Sequence, residues 1–562
     1  EDSVASIAED LRLIGSLSLD VSDIVAQYGG VNWNDTCDIN VYEASDTTVL
    51  KSWTDCYFVL LNNTSVEIGI PQDDMWPNSK DIDVEITFSC YNSKTIKYFT
   101  SARQTFHTET GRTIGPVLNG KTLVYTVAQL NLIRPDSITQ DEPLKKDYLQ
   151  VRDINMDPTD TTFGSYETNS RTSGWTPIGN AANSAYPFSG HYDGNNRKIT
   201  GLYIRKPGED QVGLFGRVTN AGWVKNLTIE GSSITGNNYV GSVIGYYERV
   251  INNDTAGYSD QRFAIENIIN KVSVSGRGNC IGGIIGYVYT NPSDNKSWTV
   301  ASKTSTIDNC ENYGYVSGGA SSLYIGGIIG RGNNNYAFRI TNCTNHGIIT
   351  AGANSDYVGG IVGELTTYRN TESGHIVNIA ACYNESPISG RDRIGGYVGS
   401  CDNLTATGFI NNQEINGRNA VGGCVGYSSY LLALVDMKNT ADISGGTGVG
   451  GIVGETKGCG IVNSLNEGNI SGTSKVGGLG GNVVSETQGG IEFVTNKGVI
   501  TATGDYAGGC FGYGDVKVES ALNNGDVTGG GDYVGGICGY KRRNMKSSKN
   551  TAFIHGKNIY GT

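Results

Sequence analysis

Val421-Gly-Gly-Cys-Val-Gly426 is followed by Val449-Gly-Gly-Ile-Val-Gly454 and Val476-Gly-Gly-Leu-Gly-Gly481, three copies of one apolar-Gly-Gly-apolar-apolar-Gly hexapeptide. Outward from these the pattern continues. Earlier copies start at Ile281, Ile325, Val358 and Ile394, later ones at Ala507 and Val534, and degenerate forms end at Gly216 and Gly245. From Gly399 the closing glycines fall at 426, 454, 481, 512 and 539, in steps of 27, 28, 27, 31 and 27 residues, while earlier steps of up to 44 carry insertions. Short apolar pieces at this period, without a 3.6-residue spacing, predict a parallel β-solenoid with about three short strands in each turn.

Between hexapeptides runs a second line: an Asn, three variable residues and an apolar residue. The Asn column reads Asn270, Asn312, Asn345, Asn384, Asn411, Asn439, Asn466, Asn496, Asn523 and Asn550, with Val274, Val316, Ile349, Ile388 and their successors four residues on. A buried amide left unpaired costs about 1–3 kcal/mol, so a complete Asn column predicts an in-register ladder whose amides bond from coil to coil. Ten coils at about 4.8 Å each amount to roughly 45–50 Å of stacking.

The rest of the composition agrees. Among 562 residues there are 80 Gly and 11 Pro, with 38% hydrophobic and 17% charged residues. No Gly-X-Y period exists, so collagen is excluded, and the supply of Val, Ile and Tyr argues against disorder. A net charge of −13 leaves no basic footprint, which excludes a nucleic-acid partner. No apolar run approaches the roughly 18 residues that span a bilayer. The 12 Cys contain no C-x-x-C pair. Cys310, Cys343 and Cys382 share the position two before the Asn, and Cys424, Cys510 and Cys538 replace Ile or Val in the hexapeptide, so these six read as small reduced core residues. The start at Glu1, without Met, reads as a processed or trimmed N-terminus.

From Asp153-Ile-Asn-Met156 through Trp175-Thr-Pro-Ile-Gly179, Phe188-Ser-Gly-His-Tyr-Asp-Gly-Asn195 and Gly213-Leu-Phe-Gly216, the opening of this region resembles the GLUG-motif repeats of bacterial surface proteins, as do the Val-Gly-Gly-Ile-Val-Gly copies. The resemblance covers residues 148–562 and implies adhesion and surface display, with no chemistry in the repeat itself. Residues 1–147 lack the hexapeptide. Alternating segments such as Leu11–Ile14, Cys56–Leu61, Val84–Phe88 and Leu123–Val127 predict an antiparallel β-sandwich. Trp33-Asn-Asp-Thr-Cys-Asp-Ile-Asn-Val-Tyr42, with Trp76-Pro77 ahead of Asp81–Phe88, is similar to the fimbrillin-like domains of Bacteroidetes surface lipoproteins. That similarity implies an outer-membrane lipid anchor just before Glu1, the chain's only expected link to a membrane.

Several chemistries fail on context. Gly115-Pro-Val-Leu-Asn-Gly-Lys121-Thr122 matches the P-loop pattern, but Asn119-Gly120 is a hairpin turn and Leu123–Gln129 reads as a strand where a helix is needed. None of His107, His191, His346, His375 and His555 is followed by Glu, so no H-E-x-x-H zinc site exists. Asp73, Asp74, Asp254 and Asp392 are the carboxylates a glycan-cleaving β-helix would recruit, and each reads as solvated surface. Gly529-Gly-Gly-Asp532 falls short of the calcium nonapeptide rhythm, and sequons such as those at Asn226, Asn342 and Asn469 read as chance.

Of 32 Tyr, Tyr239, Tyr324, Tyr357, Tyr506 and Tyr533 precede a hexapeptide, and Tyr246, Tyr287, Tyr427, Tyr513 and Tyr540 follow one. They read first as a ring ladder along the sheet, and second as a surface for sugars or a protein partner. Insertions at 247–263, 288–306 and 365–378 are the better places for a partner. The partner-binding candidates are Tyr287, Tyr289, Trp298, Tyr324 and Tyr357; no catalytic, cofactor or metal residue is assigned. The function expected is a cell-surface or extracellular adhesin, or adhesive stalk, that binds a host or matrix glycan or protein by multivalent display, without catalysis. The alternatives are a polysaccharide-binding or polysaccharide-cleaving β-helix and a structural pilus subunit.

Overall fold

The computed structural model describes residues 16–20, 32–43, 47–62, 65–69, 81–92, 95–100, 104–107, 117–118, 121–124, 127–134, 142–157, 173–179, 186–219, 222–251, 264–292, 305–334, 338–367, 377–430, 432–484 and 490–559. The chain divides into two compact units, residues 1–168 with 190–197, and residues 169–189 with 198–562. Leu11–Ile14, Trp76-Pro77, Asn119-Gly120, Asp73, Asp74, Asp254, His375 and Trp298 lie outside the described residues.

In the first unit six described strands pair antiparallel along one path, in the order Ser16–Asp20, Ser65–Gly69, Val49–Asn62, Asn32–Glu43, Asp81–Asn92 and Thr95–Thr100, with Gln104–His107 also on Asp81–Asn92, while Lys121–Val124 and Asp147–Gln150 pair parallel. Val49–Asn62 joins the two halves of this path. Its Val49–Tyr57 part pairs with Asn32–Glu43 and its Phe58–Asn62 part with Ser65–Gly69. The matched P-loop stretch is a hairpin, with Val117 opposite Thr122 and Leu118 opposite Lys121. The strand expected over Leu123–Gln129 ends at Val124, and a six-residue helix, Val127–Leu132, follows. Val127 and Leu130 in the helix and Ile133 just after it are buried at helical spacing, and Ala128, Gln129, Leu130 and Leu132 are good helix formers, so propensity and burial agree on the helix.

The second unit is a parallel β-solenoid. An eleven-stranded stack holds the last part of each hexapeptide, a nine-stranded stack holds the first part, and a third stack carries the Asn column. Val358, Ile394, Val421, Val449 and Val476 are register partners in successive coils, as are Asn384, Asn411, Asn439 and Asn466. A coil contains more pieces than three. Residues 404–428 form Leu404–Thr407, Ile410–Asn411, Ile415–Asn416, Asn419–Gly422 and Val425–Ser428. One break is a left-handed residue three positions before each Asn, at Asn267, Asn309, Asn342, Ala381, Gly408, Asp436, Asn463, Phe493, Ser520 and Ser547, all with φ between 46° and 73°. Asn and Asp tolerate this backbone better than other non-glycine residues, yet Ala381 and Phe493 adopt it too, so the stacked coil imposes it.

The interior is filled in columns. Val316, Ile349, Ile388, Ile415, Ile443, Ile470, Ile500 and Val527 are at most 2% exposed. Cys310, Cys343, Cys382, Cys424, Cys510 and Cys538 are buried free thiols. Burial pushes the thiols of Cys280, Cys401 and Cys538 up to about 12, far from nucleophilic at neutral pH. At the first coil Trp175 is buried and its indole N–H donates to the Leu214 carbonyl at 3.0 Å, while the Phe188 and Phe215 rings meet at 4.8 Å. The opening Trp-Thr-Pro-Ile-Gly segment thus covers apolar side chains at the start of the stack, as solenoid ends require.

Candidate functional site

The Asn column lies inside the solenoid. Asn312 Nδ2 donates to Asn345 Oδ1 at 2.8 Å and to its own coil's Gly314 carbonyl at 3.0 Å. The same pair of bonds recurs at Asn411, Asn439, Asn466, Asn496 and Asn523. Asn345 reaches Asn384 at 2.9 Å, and Asn384 donates to Ser386. Where both bonds are made, both amide hydrogens are used and the oxygen accepts from the preceding coil; between Asn384 and Asn411 the coils stay in register without the side-chain bond, and the Asn411 oxygen accepts from the Gln413 N–H instead. The two repeated lines of the sequence meet here. A Cβ on Gly327, the second Gly of its hexapeptide, would stand 2.4 Å from Asn345 Cγ and 2.2 Å from the Gly360 carbonyl oxygen. The Gly-Gly gap is the space the Asn side chain and the next coil occupy.

The tyrosines form a stripe along the eleven-stranded stack. Arg217, Tyr246, Tyr287, Arg331, Glu364, Ser400, Tyr427, Glu455, Asn482, Tyr513 and Tyr540 are successive register partners, one per coil. Beside them runs the position before each hexapeptide, where Tyr239, Tyr324, Tyr357, Tyr506 and Tyr533 all have φ between 56° and 67°. A bulky residue in the left-handed region costs roughly 1–2 kcal/mol, yet Gln211, Cys280, Arg393, Ala420 and Lys475 adopt it at the same position, so here too the stacked coil imposes the backbone and leaves the residue type to the surroundings.

Four of the five candidates come together in this stripe. Tyr287 and Tyr289 stack at 6.0 Å, Tyr239 stacks on Tyr287 at 5.4 Å, and Tyr324 meets Tyr357 at 4.8 Å. Arg331 links the groups, its guanidinium 4.4 Å from the Tyr324 ring centre and 5.8 Å from that of Tyr287. Arg393 sits between Tyr357 at 4.7 Å and Tyr427 at 4.6 Å, and it donates to the Tyr357 hydroxyl. Arg331 also pairs with Glu364 at 2.8 Å. Sequence reasoning passed over Arg331, Glu364 and Arg393. Their signal was positional, because they occupy the same repeat columns as the tyrosines.

Burial dominates the electrostatics. It pushes the Tyr287 and Tyr324 hydroxyls up to about 12, against the pull of Arg331. It also raises Glu364, with Arg331 opposing and the charge of Asp402 adding to the rise, and it raises Glu455, with Lys475 opposing. Asp392 behaves differently. Burial acts to raise it, but Arg418 at 2.7 Å, Asn419 and the charge of Arg391 outweigh that and hold it low. It is an ion-pair residue, not a protonated acid. The strands Ile244–Ile251, Ile285–Pro292 and Val362–Thr367, which lead into the three insertions, belong to the same stack, where strands without insertions, such as Val398–Cys401, are shorter. The arrangement offers ring edges, guanidinium groups and carboxylates at coil spacing. Among the described residues no cluster of His, Cys, Asp and Glu suits a metal ion.

No protein-family profile matches the chain. A stretch of 114 residues, 20% of the chain, is 37% identical to Halomucin of Haloquadratum walsbyi and covers 1% of that protein. Another of 78 residues, 12% of the chain, is 41% identical to a protein of Evansella cellulosilytica described as a Gly-rich membrane protein, covering 9% of it. The chain therefore spans a small fraction of these curated relatives. Among solved structures, one described as an immunoglobulin A1 protease from Bacteroides ovatus aligns over 54% of this chain and 79% of its own, at 19% identity and a TM-score of 0.38. No helix among the described residues is long and apolar enough to cross a membrane.

Proposed function

We propose that the chain is a GLUG-type surface protein whose solenoid acts as a non-catalytic adhesive stalk, displaying the tyrosine stripe to a host or matrix glycan or protein. The observation that carries this reading is the retention of tyrosine at a left-handed position in five coils, each ring stacked on a neighbour or lying beneath an Arg. The backbone there does not require a ring, since Cys280, Ala420, Gly448 and Lys475 hold the same conformation in other coils. Rings and guanidinium groups repeated once per coil make weak contacts simultaneously, and affinity then grows by avidity without a deep pocket. The stretches similar to Halomucin and to a Gly-rich membrane protein support a surface or extracellular setting. The weaker fimbrillin similarity of the first unit keeps a lipid anchor within the same proposal.

The test is a screen of the full chain against glycan and matrix-protein arrays, repeated with Tyr324→Ala/Tyr357→Ala. Saturable binding that the double variant loses supports the reading; binding unchanged in the variant, or none at all, overturns it. A second reading has its own observation: Glu364 is a buried carboxylate with a raised pKa beside Arg331, the profile of a general acid. Cleavage of a bound glycan, abolished by Glu364→Gln, would convert the stalk into a polysaccharide-processing β-helix.

A further inference from the structure

A different surface of the solenoid carries exposed apolar side chains. Next to the buried Asn column, the positions one before, one after and three after each Asn face outward. In the four coils of Asn312, Asn345, Asn384 and Asn411 these positions hold Tyr313 (47% exposed), Tyr315 (40%), Ile348 (58%), Tyr383 (42%) and Ile410 (43%). Tyr383 and Ile410 flank the paired Asn384 and Asn411 in adjacent coils, and Tyr315 precedes Val316 as Ile348 precedes its register partner Ile349. The apolar groups therefore form two adjacent-coil pairs on one face, Tyr315 with Ile348 and Tyr383 with Ile410, on columns either side of the one that holds Tyr313 and His346. Exposed apolar side chains gathered on one face in this way mark an interaction site.

The charges around it have one sign. The same positions hold Glu311, Glu385 and Glu414 and neither Lys nor Arg. Glu311 accepts from the Tyr313 hydroxyl at 2.7 Å, and Glu385 is bonded by His346, whose ring stacks on Tyr313 at 4.2 Å. Cations occur on these columns just outside the strip and are turned away from it. Lys271, one coil before, pairs with Glu230 at 2.9 Å, and Lys438, one coil after, pairs with Glu467 at 2.8 Å. In later coils Lys497 completes a Lys438–Glu467–Lys497 chain on the same face.

We propose that this strip is a docking surface for a basic protein segment bearing apolar side chains. Carboxylates with no Lys or Arg among them, only His346 between Glu311 and Glu385, attract a positive partner and repel an acidic polymer, while the exposed Tyr and Ile groups supply the apolar area that a charge contact alone lacks. A glycan fits less well. Ile348 and Ile410 present no flat face for a sugar ring, and one face of Tyr313 is already covered by His346. The strip lies apart from the tyrosine stripe, so the proposal stands whether or not the stripe binds anything.

The probes are three labelled synthetic peptides of equal length, alternating Lys with Leu, Lys with Ser, and Glu with Leu, titrated into the full chain by fluorescence anisotropy. The expected result is saturable binding of the Lys-Leu peptide only, weakened at least tenfold by Ile348→Asp and by Tyr383→Ser, and unchanged by Val499→Asp, an exposed position on the same column outside the strip. Both strip substitutions lie on exposed side chains, and an unchanged melting temperature shows that the coil has folded. Equal binding of the two Lys peptides, equal loss in all three variants, or no saturable binding overturns the proposal. Heparin binding that the same two variants abolish would also overturn it, by showing that the strip reads an acidic glycan.

Discussion

The Asn column and the tyrosine stripe run along the same coils, one wholly inside and one along the eleven-stranded face, where Tyr287, Glu364 and Ser400 are buried and the other tyrosines half-buried, and they follow opposite rules. The inner column holds Asn in every coil from Asn270 to Asn550, whereas the outer column passes through Arg217, Tyr246, Glu364, Ser400 and Asn482 without disturbing the stacking. An inner side chain has a hydrogen-bond account that only one residue type closes. A stripe side chain answers only to its neighbours on the face, by ring stacking, cation–π contact or ion pair, so it is free to vary coil by coil. Constancy here reports on folding, and variation marks where specificity can reside.

The strongest way to break this contrast is Asn439→Leu, which orphans the Asn411 amide, the Asn466 oxygen and the Ala441 carbonyl. At about 1–3 kcal/mol for each buried unpaired group, with incomplete additivity, a loss of about 3 kcal/mol or more is expected in denaturant unfolding. Asn550→Leu, at the half-buried last rung with Asn523 as its ladder partner, should cost about 1 kcal/mol. Equal losses at both positions would refute the ladder account. Gly451→Ala comes next, because its Cβ would stand 2.4 Å from Asn466 Oδ1 and 2.3 Å from the Gly478 carbonyl oxygen. Overpacking of this kind costs about 1–3 kcal/mol, readable as a lowered midpoint at constant slope.

On the outside the comparison sharpens through backbone strain. Tyr357 has φ of 61°, so Tyr357→Gly should be more stable than Tyr357→Ala by about 1 kcal/mol, although both lose the same ring. Glycine no better than alanine would mean that the left-handed position stores no strain. The smallest effect is a pH trend. Burial raises Glu364 above its ordinary 4.5, so the folded chain holds that proton more tightly than the unfolded chain. Its contribution to stability is fully present below the unfolded pKa and is lost as pH rises through the folded one. The stability of Glu364→Gln relative to the parent should therefore grow from pH 4.5 upward. Glu467, lowered by its bonds to Lys438 and Lys497, has the opposite sign: its contribution is present above the unfolded pKa and lost as pH falls through the folded one. Parallel trends for Glu364→Gln and Glu467→Gln in urea titrations across this range would show that burial does not distinguish them.

Much of the solenoid was legible because its period is written in residues the backbone constrains. Gly-Gly and the Asn recur where the next coil passes within van der Waals distance, and a reader needs only their spacing to place a parallel stack. The short helix Val127–Leu132 was misread because the β-formers Val124, Tyr125, Thr126 and Val127 carried the strand reading on into Ala128 and Gln129, which favour helix, and burial of Val127 and Leu130 on one face fits that helix. The tyrosines were visible as columns. Arg331 and Glu364 were not, because singly substituted members of a column look like noise until the fold shows which residues flank them.

The sequence by itself determined the parallel coil, its register and the identity of what lies inside, since the interior repeats the same chemical requirement every turn. The tertiary structure alone decided that the second Gly of each hexapeptide and the Asn belong to one contact, that the residue before the hexapeptide is left-handed, and that scattered Arg, Glu and Tyr residues form continuous surfaces. The reason is geometric: stacking brings together residues 27 or more positions apart, and no local pattern records which outward side chains then touch.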